Sequence, residues 1–234
     1  LAHQNIGKYI RDHFEQYGLV PLDGHYYQHF KCENGKVGRN VIGMVPSAIP
    51  SDEYVIISAH YDHIGALNGF VYNGADDNAS GVTALMNLAE MFGSMRKAKM
   101  GPDKNIIFVA FDAKEMSMAG SRHFVKNLSI PKGKITCAIN MDQIGSTLEP
   151  VHEGIKDYLI ILGENTLKKE DRGKIGLCNR FYNIHLDIDY TFYSSEAFTT
   201  LYYKLSDQVA FQEAQIPALL LTSGFHSHTY KISD

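Results

Sequence analysis

Cysteine is scarce in this chain. Cys32, Cys137 and Cys178 are widely spaced and odd in number, so they do not form a disulfide framework or a Cys-based zinc site. Cys137 sits in an apolar run and reads as a small buried hydrophobe. Long apolar runs are missing as well, none approaching the ~18 residues of a membrane span. Neither sign of charge is in excess: 22 Lys and Arg against 26 Asp and Glu leave a formal −4. That balance gives no reason to expect nucleic acid or an anionic membrane as a partner. A secretory signal pattern is lacking, and the chain opens on Leu1 rather than Met, so it reads as processed or trimmed. Without repeats, low-complexity tracts or a linker, residues 1–234 are expected to form one domain.

What is present is ordinary globular material, 44% hydrophobic and 21% charged, able to bury a large core. Ile6, Ile10, Phe14 and Tyr17 follow a helical spacing that stops at Gly18. Residues 25–31 and 39–45 read as a hairpin turning at Glu33-Asn34-Gly35-Lys36. Buried strands are expected at 54–59, 105–111, 135–141, 158–162 and 217–222. Between them, Val82, Leu85, Met86, Leu88, Ala89 and Phe92 mark a helix over about 80–96. Further helices are expected near 119–128, after Gly163 and at 208–215. This alternation predicts an α/β fold: a central mixed, mostly parallel sheet with helices on both faces.

Ligands of such sheets bind beyond the carboxyl ends of the strands, and polar residues gather there. His60 and Asp62 follow the 54–59 strand, two residues apart. One suits a metal, and the other is a carboxylate that orients an imidazole. Gly74-Ala75-Asp76-Asp77-Asn78-Ala79-Ser80-Gly81 then places two adjacent acids before a helix. Helix capping explains one carboxylate more easily than two. Lys114-Glu115, Asp142 and His226-Ser227-His228 follow later strands. Two histidines and three carboxylates converging from several strand ends are hard to explain as solvated loops.

His60-x-Asp62 followed by Gly74-Ala75-Asp76-Asp77-Asn78-x-Ser80-Gly81 resembles the co-catalytic zinc aminopeptidases of the bacterial leucyl aminopeptidase type. That superfamily is shared with glutaminyl cyclases and the transferrin receptor ectodomain. The likeness extends through Asn140-Met141-Asp142, Ser206-Asp207 and Ile216-Pro217-Ala218. It implies that Asp76 bridges two metals, that His60 and Asp142 complete one, and that Glu115 and His228 complete the other. Asp62 is then the residue that orients His60, and a cis peptide is expected between Asp76 and Asp77. His226 reads as a structural or rim histidine. Nitrogen and carboxylate ligands with open positions suit zinc, as one or two ions, with cobalt or manganese as other divalent choices.

Two departures stand out. The family carries two consecutive glutamates where this chain has Lys114-Glu115, so the ligand is kept and Lys114 stands at the general-base position. The chain also stops at Asp234, where relatives continue into a terminal helix. The resemblance implies a metallo-aminopeptidase acting on peptides with a free N-terminus, weakened by Lys114, and exported to the periplasm or cell exterior. The alternative is a non-catalytic binding domain that keeps the fold and part of the metal site. A glutaminyl cyclase fits less well, because those enzymes also need an acid at position 114. Lys114 changes the charge balance of the site by two units relative to glutamate, so fewer than two tightly bound metals are expected.

Overall fold

The computed structural model describes residues 2–146 and 157–234. Helix α1 (Ala2–Tyr17) ends at Gly18, whose φ of 86° favours glycine and whose missing side chain leaves room for the Lys97 stem. Strands β1 (Tyr27–Lys31) and β2 (Val37–Val45) form the expected antiparallel hairpin. β3 (Tyr54–His60) leads to a small separate hairpin, β4 (Gly65–Leu67) and β5 (Phe70–Tyr72). Then follow α2 (Gly81–Lys97), β6 (Asn105–Phe111), α3 (Ala119–Lys126) and β7 (Ile135–Met141). The last part holds β8 (Tyr158–Leu162), α4 (Lys174–Phe181), β9 (Asp187–Asp189), α5 (Glu196–Tyr203), α6 (Gln208–Glu213) and β10 (Ala218–Thr222).

Eight strands form one sheet in the order β1-β2-β6-β3-β7-β10-β8-β9. Its centre, β6-β3-β7-β10, is parallel throughout, while β2 and β8 join that centre antiparallel. The expected mixed, mostly parallel α/β sheet is therefore the one observed. β6 explains why helices cover both faces. Every residue of it is buried, and alternate side chains point to opposite sides. Ile106, Phe108 and Ala110 meet Ile10 and Phe14 of α1 and Leu85 and Ala89 of α2. Ile107, Val109 and Phe111 meet Phe124 of α3 and Phe211 of α6.

The differences lie where the sequence carries weak periodicity. No single helix starts after Gly163. Two short 3₁₀ turns, Glu164–Thr166 and Lys169–Asp171, come before α4, because buried Leu167 anchors the segment beside Ile161 and Leu219. β9, β4–β5 and α5 add to the elements that the sequence pattern predicts. β9 is three residues long and carries two aspartates, so no apolar alternation marks it.

Candidate metal centre

The parallel strands β6, β3, β7 and β10 lie side by side, so the loops after them open at one end of the sheet. His60 closes β3 and is fully buried. Its Nδ1 lies 3.0 Å from the Asp62 carbonyl oxygen and 3.6 Å from Asp62 Oδ1. That fixes the ring and leaves Nε2 facing Asp77 Oδ1 at 3.1 Å and Asp142 Oδ1 at 3.4 Å. Burial opposes a charged imidazole, yet Asp142, Asp62 and Asp77 together lift the His60 pKa well above its ordinary value. A field that draws a proton onto this ring draws a metal cation to the same place.

Asp142 follows β7, where its backbone N–H extends the pairing to Leu221. Ser206 donates its hydroxyl to Asp142 Oδ2. The carboxyl is depressed far below the usual range: burial pushes it up, but His60 and Lys114 outweigh that. Asp77 sits in a tight turn before α2, with Gly74 at φ 66° and a cis Asp77–Asn78 peptide. Asn78 braces that turn, donating to the Met141 carbonyl at 2.9 Å and accepting the Gly81 N–H at 3.1 Å.

Do these donors suit a metal? The ligand atoms of His60, Asp77 and Asp142 lie within 4.8 Å of one another, and all three residues are buried. His60 Nε2 and both Asp77 oxygens have no hydrogen-bond partner. Buried polar atoms without partners are costly unless something satisfies them. Ligands at ~2.0–2.2 Å around a tetrahedral ion stand roughly 3.4 Å apart, close to the separations seen here. One imidazole and two carboxylates with an open side thus fit a divalent ion, with zinc the natural choice.

A second group, His63, Asp77 and Glu115, also brings its ligand atoms within 4.8 Å. Lys114 reaches into it. Its Nζ lies 3.2 Å from Glu115 Oε1, 3.6 Å from Asp77 Oδ1, 3.7 Å from Asp142 Oδ2 and 3.3 Å from the Tyr230 hydroxyl. Burial works against the ammonium, but Asp142, Asp77 and Glu115 raise its pKa beyond the ordinary lysine value. A lysine is an ammonium at neutral pH in any case, and three carboxylates within 3.7 Å of Nζ favour that form.

The sequence-based site residues separate into two sets. His60, Asp142, Glu115, Lys114 and Asp62 come together. Asp62 does more than face His60, since its carboxylate also accepts the backbone N–H groups of Lys114 at 3.0 Å and Glu115 at 3.1 Å. Asp76 and His228 do not join them. Asp76 turns away: its Oδ1 accepts the Gly145 N–H at 2.7 Å, and its Oδ2 lies 3.0 Å from His226 Nε2. The turn after Gly74 directs the second acid of the pair, not the first, toward the strand ends. The cis bond is correspondingly Asp77–Asn78 rather than Asp76–Asp77.

His228 is exposed, with Nδ1 2.7 Å from the Ser233 hydroxyl. Its N–H donates to His226 Nδ1 at 3.2 Å, and the Thr229 N–H donates to the His226 carbonyl, a turn that carries His228 outward. Two positions later the same loop brings Tyr230 into the site. Asp77 was legible as half of an acid pair, and His63 as a neighbour of His60-x-Asp62. Nothing in the sequence marks Tyr230.

Above these residues opens a cavity of about 230 Å³. Asp77, Lys114, Glu115 and Asp142 line its polar end, and Phe192, Tyr202, Leu205, Leu220 and Phe225 supply apolar wall. Phe192 and Tyr202 stack with ring centres 3.8 Å apart.

Comparison with known proteins bears on the family and the fold. The sequence model described as Peptidase family M28 matches residues 40–232. Aminopeptidase YwaD of Bacillus subtilis (strain 168) is 31% identical over 125 residues, 53% of this chain and 25% of that protein. A glutamate carboxypeptidase 2 homolog of Caenorhabditis briggsae is 32% identical over 108 residues, 45% of this chain and 13% of that protein. This chain thus spans a quarter or less of the length of these relatives. Among solved structures, the LapA aminopeptidase of Legionella pneumophila aligns with a TM-score of 0.68 at 20% identity, over 97% of this chain and 57% of that one. The glutaminyl cyclase of Porphyromonas gingivalis aligns with a TM-score of 0.70 at 15% identity, over 99% of this chain and 80% of that one. At those identities the likeness is one of fold.

Proposed function

Because the chain belongs to peptidase family M28, we propose that it is a metal-dependent aminopeptidase-like hydrolase that removes N-terminal residues from peptides. The supporting observation is the convergence of His60 Nε2, Asp77 and Asp142 on one point at the polar end of an apolar-walled cavity. These three residues would hold a divalent ion, zinc by preference. Such an ion supplies Lewis acidity toward a carbonyl and a more acidic water. Asp62 sets the ring of His60 and the loop of Lys114 and Glu115. The aromatic wall takes an apolar side chain and excludes water. Export to the periplasm or cell exterior is part of the same reading. Among the described residues no helix is long and apolar enough to cross a membrane.

Lys114 sets the rate. A positioned general base contributes ~10²–10⁴-fold, and an ammonium held by three carboxylates cannot accept a proton. Hydrolysis is therefore slow. The same residue favours the second reading, a binding domain that holds peptides without cleaving them. Zinc-supplemented protein should be given peptides with free and with acetylated N-termini. Cleavage of the free form alone, abolished by a chelator, is expected. Equal cleavage of both would end the aminopeptidase reading, and saturable binding without turnover would establish the binding domain.

A further inference from the structure

We propose that the Lys114 ammonium, with the Tyr230 hydroxyl beside it, occupies the second cation position of this centre, so that the protein holds one divalent metal. The inference rests on the metal-dependent reading above and deepens it by fixing the number of ions.

Three observations carry it. First, the ammonium already sits among the oxygens a second ion would need. It is 3.2 Å from Glu115 Oε1 and 3.6 Å from Asp77 Oδ1, two of the three ligands in the His63 group. A divalent ion in that group, which buried Asp77, half-buried His63 and exposed Glu115 form, would stand beside a fixed positive charge that repels it.

Second, the charges close with one metal. The carboxylates facing the cations are Asp77, Glu115 and Asp142, and one divalent ion plus one ammonium neutralises them. A second divalent ion would leave these groups an excess of two positive charges, and of one even with Asp62 counted beyond His60, a costly condition without further partners.

Third, Lys114 is held in place. Its backbone N–H is fixed by Asp62 Oδ1 at 3.0 Å, and its Nζ donates to the Tyr230 hydroxyl at 3.3 Å. The Tyr230 ring lies parallel to that of His63, with centres 6.3 Å apart and planes within 2°. An aromatic ring thus stands on the loop side of the second position. The result is a centre with one exchangeable metal and one permanent cation, two positive groups side by side at the polar end of the cavity.

Counting metal tests this without relying on turnover. Metal-free protein is titrated with zinc in a calorimeter, and bound zinc is then measured by elemental analysis after desalting. One equivalent per chain is expected. Lys114→Met, which removes the charge at little change in volume, should take up a second equivalent, as should the double variant Lys114→Glu with Tyr230→His. Circular dichroism establishes that each variant is folded. Two tight equivalents in the unmodified protein would overturn the proposal, as would folded variants that stay at one. The unmodified count decides the matter even if a variant fails to fold. No zinc bound at all would instead remove the metal-dependent reading, and this inference with it.

Discussion

Asp62 Oδ1 accepts the Lys114 N–H at 3.0 Å and lies 3.6 Å from His60 Nδ1, while Oδ2 accepts the Glu115 N–H at 3.1 Å. One side chain therefore ties the β3 end of the centre to the loop after β6. Burial raises its pKa, but His60 and the amides of Lys114 and Glu115 outweigh that and hold it below the usual range. Asp62→Ala removes these side-chain contacts and leaves only the Asp62 carbonyl beside His60 Nδ1. Zinc affinity should fall ~10–100-fold, the usual effect of losing a residue that orients a ligand. Two stranded amides should cost on the order of 3 kcal/mol in urea unfolding. Unchanged zinc binding would mean that His60 needs no such support.

The two adjacent acids should behave very differently. Asp77→Asn removes a ligand shared by both candidate groups and should weaken zinc binding by more than ~100-fold. Asp76→Asn keeps an acceptor for the Gly145 N–H and should change it by less than ~10-fold. Calorimetric titration of the two variants side by side makes the distinction, and the reverse order would return the bridging role to Asp76.

That pair shows where sequence reading stops. The strands, the central helices and the strand-end polar residues were legible because buried parallel strands are continuous apolar runs and covering helices carry a stripe. Which of Asp76 and Asp77 enters the site depends on backbone angles: φ 66° at Gly74, and non-helical values at Asp77 and Asn78. Residue identity constrains these only weakly. The outward direction of His228 is hidden in the sequence for a related reason. A His-x-His pattern on a loop says nothing about direction, and hydrogen bonds to His226 and Ser233 turn it outward. Tyr230 gave no sign because a tyrosine in a loop near an apolar wall is unremarkable.

Asp207 makes stability depend on pH. It is fully buried, and burial pushes its carboxyl up to about 6, against the attraction of His60. The unfolded chain releases this proton near ~3.9, so between there and about 6 the folded protein binds more protons than the unfolded one. The contribution of Asp207 to stability therefore falls as pH rises through that window, by on the order of 3 kcal/mol. Urea unfolding at pH 4.5 and 7 should show Asp207→Asn gaining relative to the unmodified protein at the higher pH. A constant difference would mean that Asp207 is ionised throughout.

The cysteines should differ sharply toward alkylating agents. Cys178 is exposed, whereas Cys32 and Cys137 are buried, and burial pushes the Cys137 thiol up to about 12. The thiolate is the reacting species. Iodoacetamide at pH 8 should label Cys178 in the native protein and all three only in denaturant. Rapid native labelling of Cys137, read by peptide mass, would contradict the packing around β7.

The sheet register has a consequence for when the centre is assembled. Ser58 pairs with Asn140 across β3 and β7, and His60 and Asp142 each stand two residues beyond that rung. With a side-chain period of two, both face the same way, and a slip of one residue would send Asp142 to the opposite side. Side chains lock the rung as well: Ser58 Oγ donates to Asn140 Oδ1 at 2.9 Å, and Asn140 Nδ2 donates to Ser206 Oγ at 2.9 Å. The donors are thus preorganised by cross-strand pairing, as a vernier aligns two scales, before any ion arrives. An incoming ion has little chain entropy to overcome, and its selectivity is inherited from the spacing of the strands rather than imposed by the ion.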